Sequence, residues 1–148
     1  MKELSVRLLL ADDDKDDCDL FREALDELAI DAKLDMVHNG EQLMRWLNDA
    51  KNILPQLLFL DLNMPKKNGF ECLAEIKQDD QLKNLPVVVF STSCNHDIVN
   101  QLYNNGAHFY ITKPNEFDKL KDVIRNALHA IIKNQAPKPG LAHFVLQP

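Results

Sequence analysis

Apolar positions along the chain fall into two alternating rhythms. Short runs rich in leucine and β-branched residues read as strands: "VRLLLA" (6–11), "KLDMV" (33–37), "QLLFLD" (56–61), "PVVVFS" (86–91) and "HFYIT" (108–112). The third and fourth are continuously apolar, as inner strands of a parallel sheet are. Between the runs, apolar residues recur at helical spacing. Phe21, Ala24, Leu25 and Leu28 form one stripe; Leu43, Leu47 and Ala50 a second; Phe70, Leu73 and Ala74 a third. Ile98, Val99, Leu102 and Tyr103 form the fourth, and Phe117, Leu120, Ile124, Ala127, Leu128 and Ile131 the longest. These stripes are expected to be core faces. Strand–helix repeats of this kind predict an α/β, doubly wound parallel sheet with helices on both faces. "NNGAHFYIT" fits a helix closing at Gly106 before the last strand. No domain boundary is expected before about residue 134. Residues 1–134 are therefore expected to form one domain and 135–148, with three prolines and a glycine, a C-terminal tail.

Composition narrows the function classes. A chain of 148 residues with 45% hydrophobic content has the size and the apolar content of a single cored domain. No apolar run is long enough to span a bilayer. The start, "MKELSVRLLLADDD", does not read as a signal peptide, because acids cut the apolar stretch short. The net charge of −6, with no basic stretch, excludes nucleic acid as an expected partner. Cys18, Cys72 and Cys94 are odd in number and form no C-x-x-C pair, which points to a reducing cytosol and no structural zinc. The five histidines show no ligand spacing and are expected to be structural. With only four glycines, each of Gly40, Gly69, Gly106 and Gly140 is expected to meet a backbone need.

Chemistry concentrates at the strand ends. In an open parallel sheet, ligands bind beyond the carboxyl ends of the strands, at the switch point. The first strand delivers Asp12, Asp13 and Asp14; the third Asp61, then Asn63; the fourth Ser91, Thr92 and Ser93; the fifth Thr112, Lys113 and Pro114. Taken alone, "DDDKDD" is a solvated helix start in which Asp14 or Asp16 caps. The combination at one edge carries more. Crowded carboxylates resist joint ionisation, and a hard cation such as Mg²⁺ resolves this while leaving positions for phosphate oxygens. A carboxylate nucleophile, a cation, the Lys113 amine and the Ser91 hydroxyl make a phosphoryl-transfer site.

The series "LLLADD", "LFLDLNMPKKNG", "VVVFSTS" and "YITKP" resembles the receiver domain of two-component response regulators, from about Val6 to Lys133. The resemblance implies a CheY-like sheet of order 2-1-3-4-5. It implies that Asp61 accepts a phosphoryl group and that Asp12, Asp13, Asp61 and the Asn63 carbonyl hold Mg²⁺. It makes Lys113 a contact of the phosphoryl group, Ser91 and Tyr110 the switch residues, and Asn63, Thr92 and Ser93 the residues that tune phosphoryl lifetime. Gly69 would allow the tight loop after Asp61, and a cis peptide bond would precede Pro114. Thr92 stands where the family prefers a smaller residue, which would narrow access to Asp61.

The expected function is thus that of a stand-alone, cytoplasmic response regulator, a phosphoacceptor rather than an enzyme of turnover. The donor would be a sensor histidine kinase, phytochrome-type among the options, or a histidine phosphotransfer protein. Output would run through a downstream protein target, with no membrane or nucleic acid involved. No output domain is expected. "LAHFVL" (141–146) is apolar enough to dock on a homodimer partner, a kinase or its own domain; the alternative is a disordered end. Three rivals are weaker. A haloacid-dehalogenase-type phosphatase needs an acid where Asn63 stands. A flavodoxin-like FMN carrier would place three aspartates against a phosphate. A degenerate receiver would act as a phosphorylation-independent binding module, which the full residue set argues against.

Overall fold

The computed structural model describes residues 5–92 and 95–148; Ser93 and Cys94, both named above, lie outside the described residues. The chain runs β1 (Ser5–Ala11), α1 (Lys15–Glu27), β2 (Asp31–Val37), α2 (Gly40–Asn48), β3 (Leu57–Leu60), α3 (Gly69–Gln78), β4 (Val87–Ser91), α4 (His96–Asn104), β5 (Phe109–Thr112) and α5 (Phe117–Leu128). The strands form one parallel sheet in the order β2-β1-β3-β4-β5. No helix among the described residues is long and apolar enough to cross a membrane.

Side-chain alternation divides the core. Leu9, Leu58, Leu60, Val87, Val89 and Tyr110 face a layer of α2, α3 and α4. Leu8, Leu10, Leu57, Phe59, Val88 and Phe90 face α1 and α5. Successive strand residues point to opposite faces, so β3 and β4 must be apolar at every position. Phe21, Phe59 and Phe90 meet edge to face beneath α1, with centroids 4.8–6.4 Å apart.

Four helices begin at the carboxyl edge of the sheet with an Asx cap. Asp14, Asn39, Asn68 and Asn95 accept from Asp17, Gln42, Glu71 and Ile98 N–H groups respectively. Asn68 and Glu71 complete a reciprocal capping box. Strand ends and helix starts therefore alternate around one rim.

Four expectations need correction. Ala50 and Ala74, expected on core faces, are exposed, and Ala50 lies beyond the end of α2. All peptide bonds among the described residues are trans, including the one before Pro114. Trans is the favoured isomer, and β5 already delivers Lys113 to the rim through its N–H bond to the Ser91 carbonyl, 2.8 Å. Gly140 meets no backbone need: a Cβ there would touch nothing within 4 Å. β2 starts at Asp31, earlier than its apolar run, because backbone pairing with β1 continues from Ser5 onward. Gly106, at φ +99°, does close α4 as expected.

Residues 135–148 fold back along the outer edge of β5. The Tyr110 N–H donates to the Phe144 carbonyl (3.0 Å) and the Leu146 N–H donates to the Tyr110 carbonyl (2.8 Å), forming a parallel bridge centred on Val145. Phe144 is fully buried and stacks edge to face on Tyr103, 5.2 Å between centroids. Tyr103 in turn donates its hydroxyl to the Pro139 carbonyl, 3.0 Å.

Gly69 sets the closest packing near the rim. A Cβ at this position would lie 2.4 Å from the Asp61 carbonyl oxygen and 2.8 Å from Leu62 Cα. Both are backbone atoms and cannot swing aside. Gly69→Ala is expected to cost about 1–3 kcal/mol through overpacking. Denaturant melts of the two proteins check this; an unchanged midpoint would show that the loop after Asp61 has slack.

Candidate functional site: an acidic pocket at the switch point

The strand order reverses between β1 and β3, and the site sits at their carboxyl ends. Asp12 follows β1 and its N–H donates to the Val37 carbonyl (3.0 Å); Asp61 follows β3 and its N–H donates to the Ala11 carbonyl (2.9 Å). The ladder thus continues one residue past each strand and fixes both acids by backbone bonds. Asp12, Asp13 and Asp61 bring carboxylate oxygens within 4.8 Å of one another. Asp12 and Asp61 are buried, at 0% and 5% exposure, whereas Asp13 is exposed.

Lys113 enters from β5. Its Nζ lies 2.8 Å from Asp12 Oδ2, 2.8 Å from Asp17 Oδ2 and 3.4 Å from Asp61 Oδ2. The same ammonium stands 5.5 Å from the centroid of the Phe90 ring. The sequence pattern alone does not single out Asp17. It stands in the first turn of α1, and the cap at Asp14 starts the helix where that turn overhangs the rim. The signal was an Asp three residues past a capping Asp, which reads equally as ordinary helix-start charge.

The remaining aspartates of the run divide the work. Asp14 N–H donates to Asp12 Oδ1 (2.9 Å), while the Asp14 carboxylate caps α1. His38 Nδ1 lies 3.1 Å from the Asp12 carbonyl, which also accepts from the Cys18 thiol at 3.5 Å. Burial pushes the Cys18 and Cys72 thiols up to about 11, so neither is a thiolate nucleophile at neutral pH.

The other expected residues separate. Ser91 is fully buried at the end of β4, and its hydroxyl has no hydrogen-bond partner among the described residues. Asn63 is exposed, and its N–H donates to Asp61 Oδ1 at 3.4 Å. Thr92 is exposed at the rim. Tyr110 is fully buried on the α2–α3–α4 side of the sheet, with its backbone bound to the tail. A cleft of about 380 Å³ lined by Leu54, Pro55, Leu85, Pro86 and Ile132 lies at the opposite, amino end of the strands. It carries no charged lining residue and so none of this chemistry.

Burial dominates the electrostatics. It raises the Asp12 pKa to about 6, against the opposing hydrogen bonds from Lys113 and Asp14; the Asp61 charge adds to the rise. Burial alone would lower the Lys113 pKa, but hydrogen bonds to Asp12 and Asp17 and the charges of Asp12 and Asp61 outweigh it, leaving the amine above its ordinary range. For Asp12 the folded pKa lies above the unfolded one. Its ionisation therefore destabilises the fold as pH rises from about 4 through about 6. Asp12→Asn should stabilise the metal-free protein near pH 7.5 by about 1–3 kcal/mol. That gain should shrink as pH falls through 6 toward 4. Thermal melts in chelator across this range check it; a pH-independent difference would contradict it.

Comparison with known proteins agrees with this geometry. The family model described as "Response regulator receiver domain" matches residues 8–125. Response regulator Rcp1 of Synechocystis is 40% identical over 122 residues, covering 80% of this chain and 81% of that protein. The crystal structure of the Mn²⁺-bound form of Rcp1 superposes with a TM-score of 0.77 at 34% identity, covering 91% of this chain and 99% of that one. The structure of a phosphorylated cyanobacterial phytochrome response regulator, RcpA, superposes with a TM-score of 0.79 at 36% identity, covering 92% and 99%. The acids at the switch point and the family match over most of the sequence lead to one conclusion: this chain belongs to the response regulator receiver domain family, the signalling phosphoacceptors of two-component systems.

Proposed function

We propose that Asp61 is the phosphoacceptor, and that it takes its phosphoryl group from a phosphohistidine on a sensor kinase or a histidine phosphotransfer protein. The observation that carries this reading is the meeting of Asp12, Asp13 and Asp61 oxygens within 4.8 Å beside one ammonium, Lys113. The Asp61 carboxylate attacks phosphorus, a P–O bond forms and the P–N bond to the imidazole breaks. Lys113 offers its ammonium to the incoming phosphoryl oxygens. Ser91, buried and without an acceptor, gains one in the new phosphoryl group. Water later cleaves the aspartyl-phosphate, with Asn63, Thr92 and Ser93 shaping its approach.

The acid cluster fits a hard divalent cation: oxygen ligands, two of them buried, with net negative charge left after pairing with Lys113. Asp12, Asp13 and Asp61, with the Asn63 carbonyl, would hold Mg²⁺. When bound, the ion neutralises charge on the transferring phosphoryl oxygens. The Mn²⁺-bound structure of the relative Rcp1 supports this assignment.

Output is read as protein–protein, in the cytosol. The similarity to phytochrome response regulators favours a phytochrome-type kinase as donor. Residues 141–146 serve in this reading as a docking arm. Their contact point, Tyr110, lies on β5 three residues before Lys113, which directly follows that strand, so rearrangement around a phosphoryl group reaches the arm through β5. Exchange of the arm with a second copy would give the homodimer.

Two outcomes test this. Intact mass after incubation with acetyl phosphate should show a single added phosphoryl group that requires Mg²⁺ and is absent in Asp61→Asn; transfer to the variant would displace Asp61 from its role. Hydrogen exchange at 144–146 should accelerate on phosphorylation. Unchanged exchange in a fully phosphorylated sample would show that the arm does not sense the site.

A further inference from the structure

Lys113 is shared among three carboxylates, and the sharing is uneven. Its ammonium has three donors. Asp12 and Asp17 lie at 2.8 Å, while Asp61 lies at 3.4 Å. The partners also differ in how readily they can be released. The Asp12 side chain is 0% exposed, so losing the lysine would leave a buried, uncompensated charge. The Asp17 side chain is 33% exposed and can return to water. Asp17 also approaches from a different element, the first turn of α1, and holds Nζ at 2.8 Å while the hydrogen bond from Nζ to Asp61 Oδ2 is longer, at 3.4 Å.

We propose that Asp17 is a positioning residue for phosphoryl transfer, the exchangeable partner of Lys113. Before transfer it keeps the ammonium from closing on Asp61, so the attacking carboxylate stays open to phosphorus. As the phosphoryl oxygens arrive, they replace Asp17 on the lysine, and Asp17 is released to solvent. This inference rests on the assignment of Asp61 as acceptor.

Removing Asp17 lets the ammonium settle on Asp61 and cover the nucleophile. Asp17→Asn should therefore slow phosphorylation by acetyl phosphate at saturating Mg²⁺ by about three- to tenfold, the range expected for one charge-assisted contact. General electrostatics predicts the opposite sign, since loss of a negative charge favours approach of an anionic donor. Asp16→Asn is the control: it removes the same charge from the same exposed turn, and its rate should equal or exceed the wild-type rate. Asp17→Glu, which keeps the carboxylate, should restore most of the rate.

The deciding measurement is a double-mutant cycle on initial rates, read by intact mass. In a Lys113→Ala background, Asp17→Asn should no longer slow transfer, because the lysine through which it acts is gone. A wild-type rate in Asp17→Asn, a faster one, or the same slowing with and without Lys113 would overturn the proposal. If the wild-type chain gains no phosphoryl group, the acceptor assignment falls and this inference with it. If the wild type is modified and Asp17→Asn keeps pace, only the role of Asp17 is lost.

Discussion

A single ammonium holds this rim together. Two buried aspartates on neighbouring strands would repel each other and pay heavily for desolvation if left alone. Lys113 stands between them, and the arrangement is possible only because β5 ends where its side chain can reach back across β4 to β1 and β3. The price is a site under electrostatic tension. Asp12 resists ionisation, the lysine is bound harder than usual, and the acid trio retains unmet negative charge. That tension suits a site that takes a cation, since a cation relieves it and would offset the charge that a phosphoryl group adds.

The fold serves this arrangement by rigidity at close range. Asp12 and Asp61 are placed by backbone bonds that extend the ladder past the strand ends, not by flexible loops. Gly69 packs its Cα against the Asp61 and Leu62 backbone, and Gly40 packs as tightly against Lys67. The loop between β3 and α3 is pinned on both sides. Four Asx-capped helices start on the same rim, so the positive ends of their dipoles lie on the side of the sheet that carries the acids.

The opposite concern is the open edge of the sheet. β5 is an edge strand, and an unpaired edge invites pairing with another chain. Here the chain's own residues 144–146 occupy it at Tyr110, and Phe144 fills the adjacent slot beside Tyr103. Edge protection and contact with the strand that leads into Lys113 thus fall to the same short segment.

The sequence by itself determined the element order, the layer architecture and most of the acid rim. Period-2 and period-3.6 patterns are local consequences of which face is buried, and Asp12, Asp13, Asp61, Ser91 and Lys113 sit at strand ends that those patterns mark. Local chain chemistry could not decide which of the "DDDKDD" acids face the lysine. Asp14 became the cap and Asp17 an ion-pair partner because α1 starts at one residue and not another, and because β5, 96 positions away in sequence, ends opposite that turn. The tail's course over β5 was equally illegible, since the five apolar residues of 141–146 favour burial and say nothing about which surface will bury them. Only the assembled sheet supplied an edge with free backbone groups and an aromatic slot beside it.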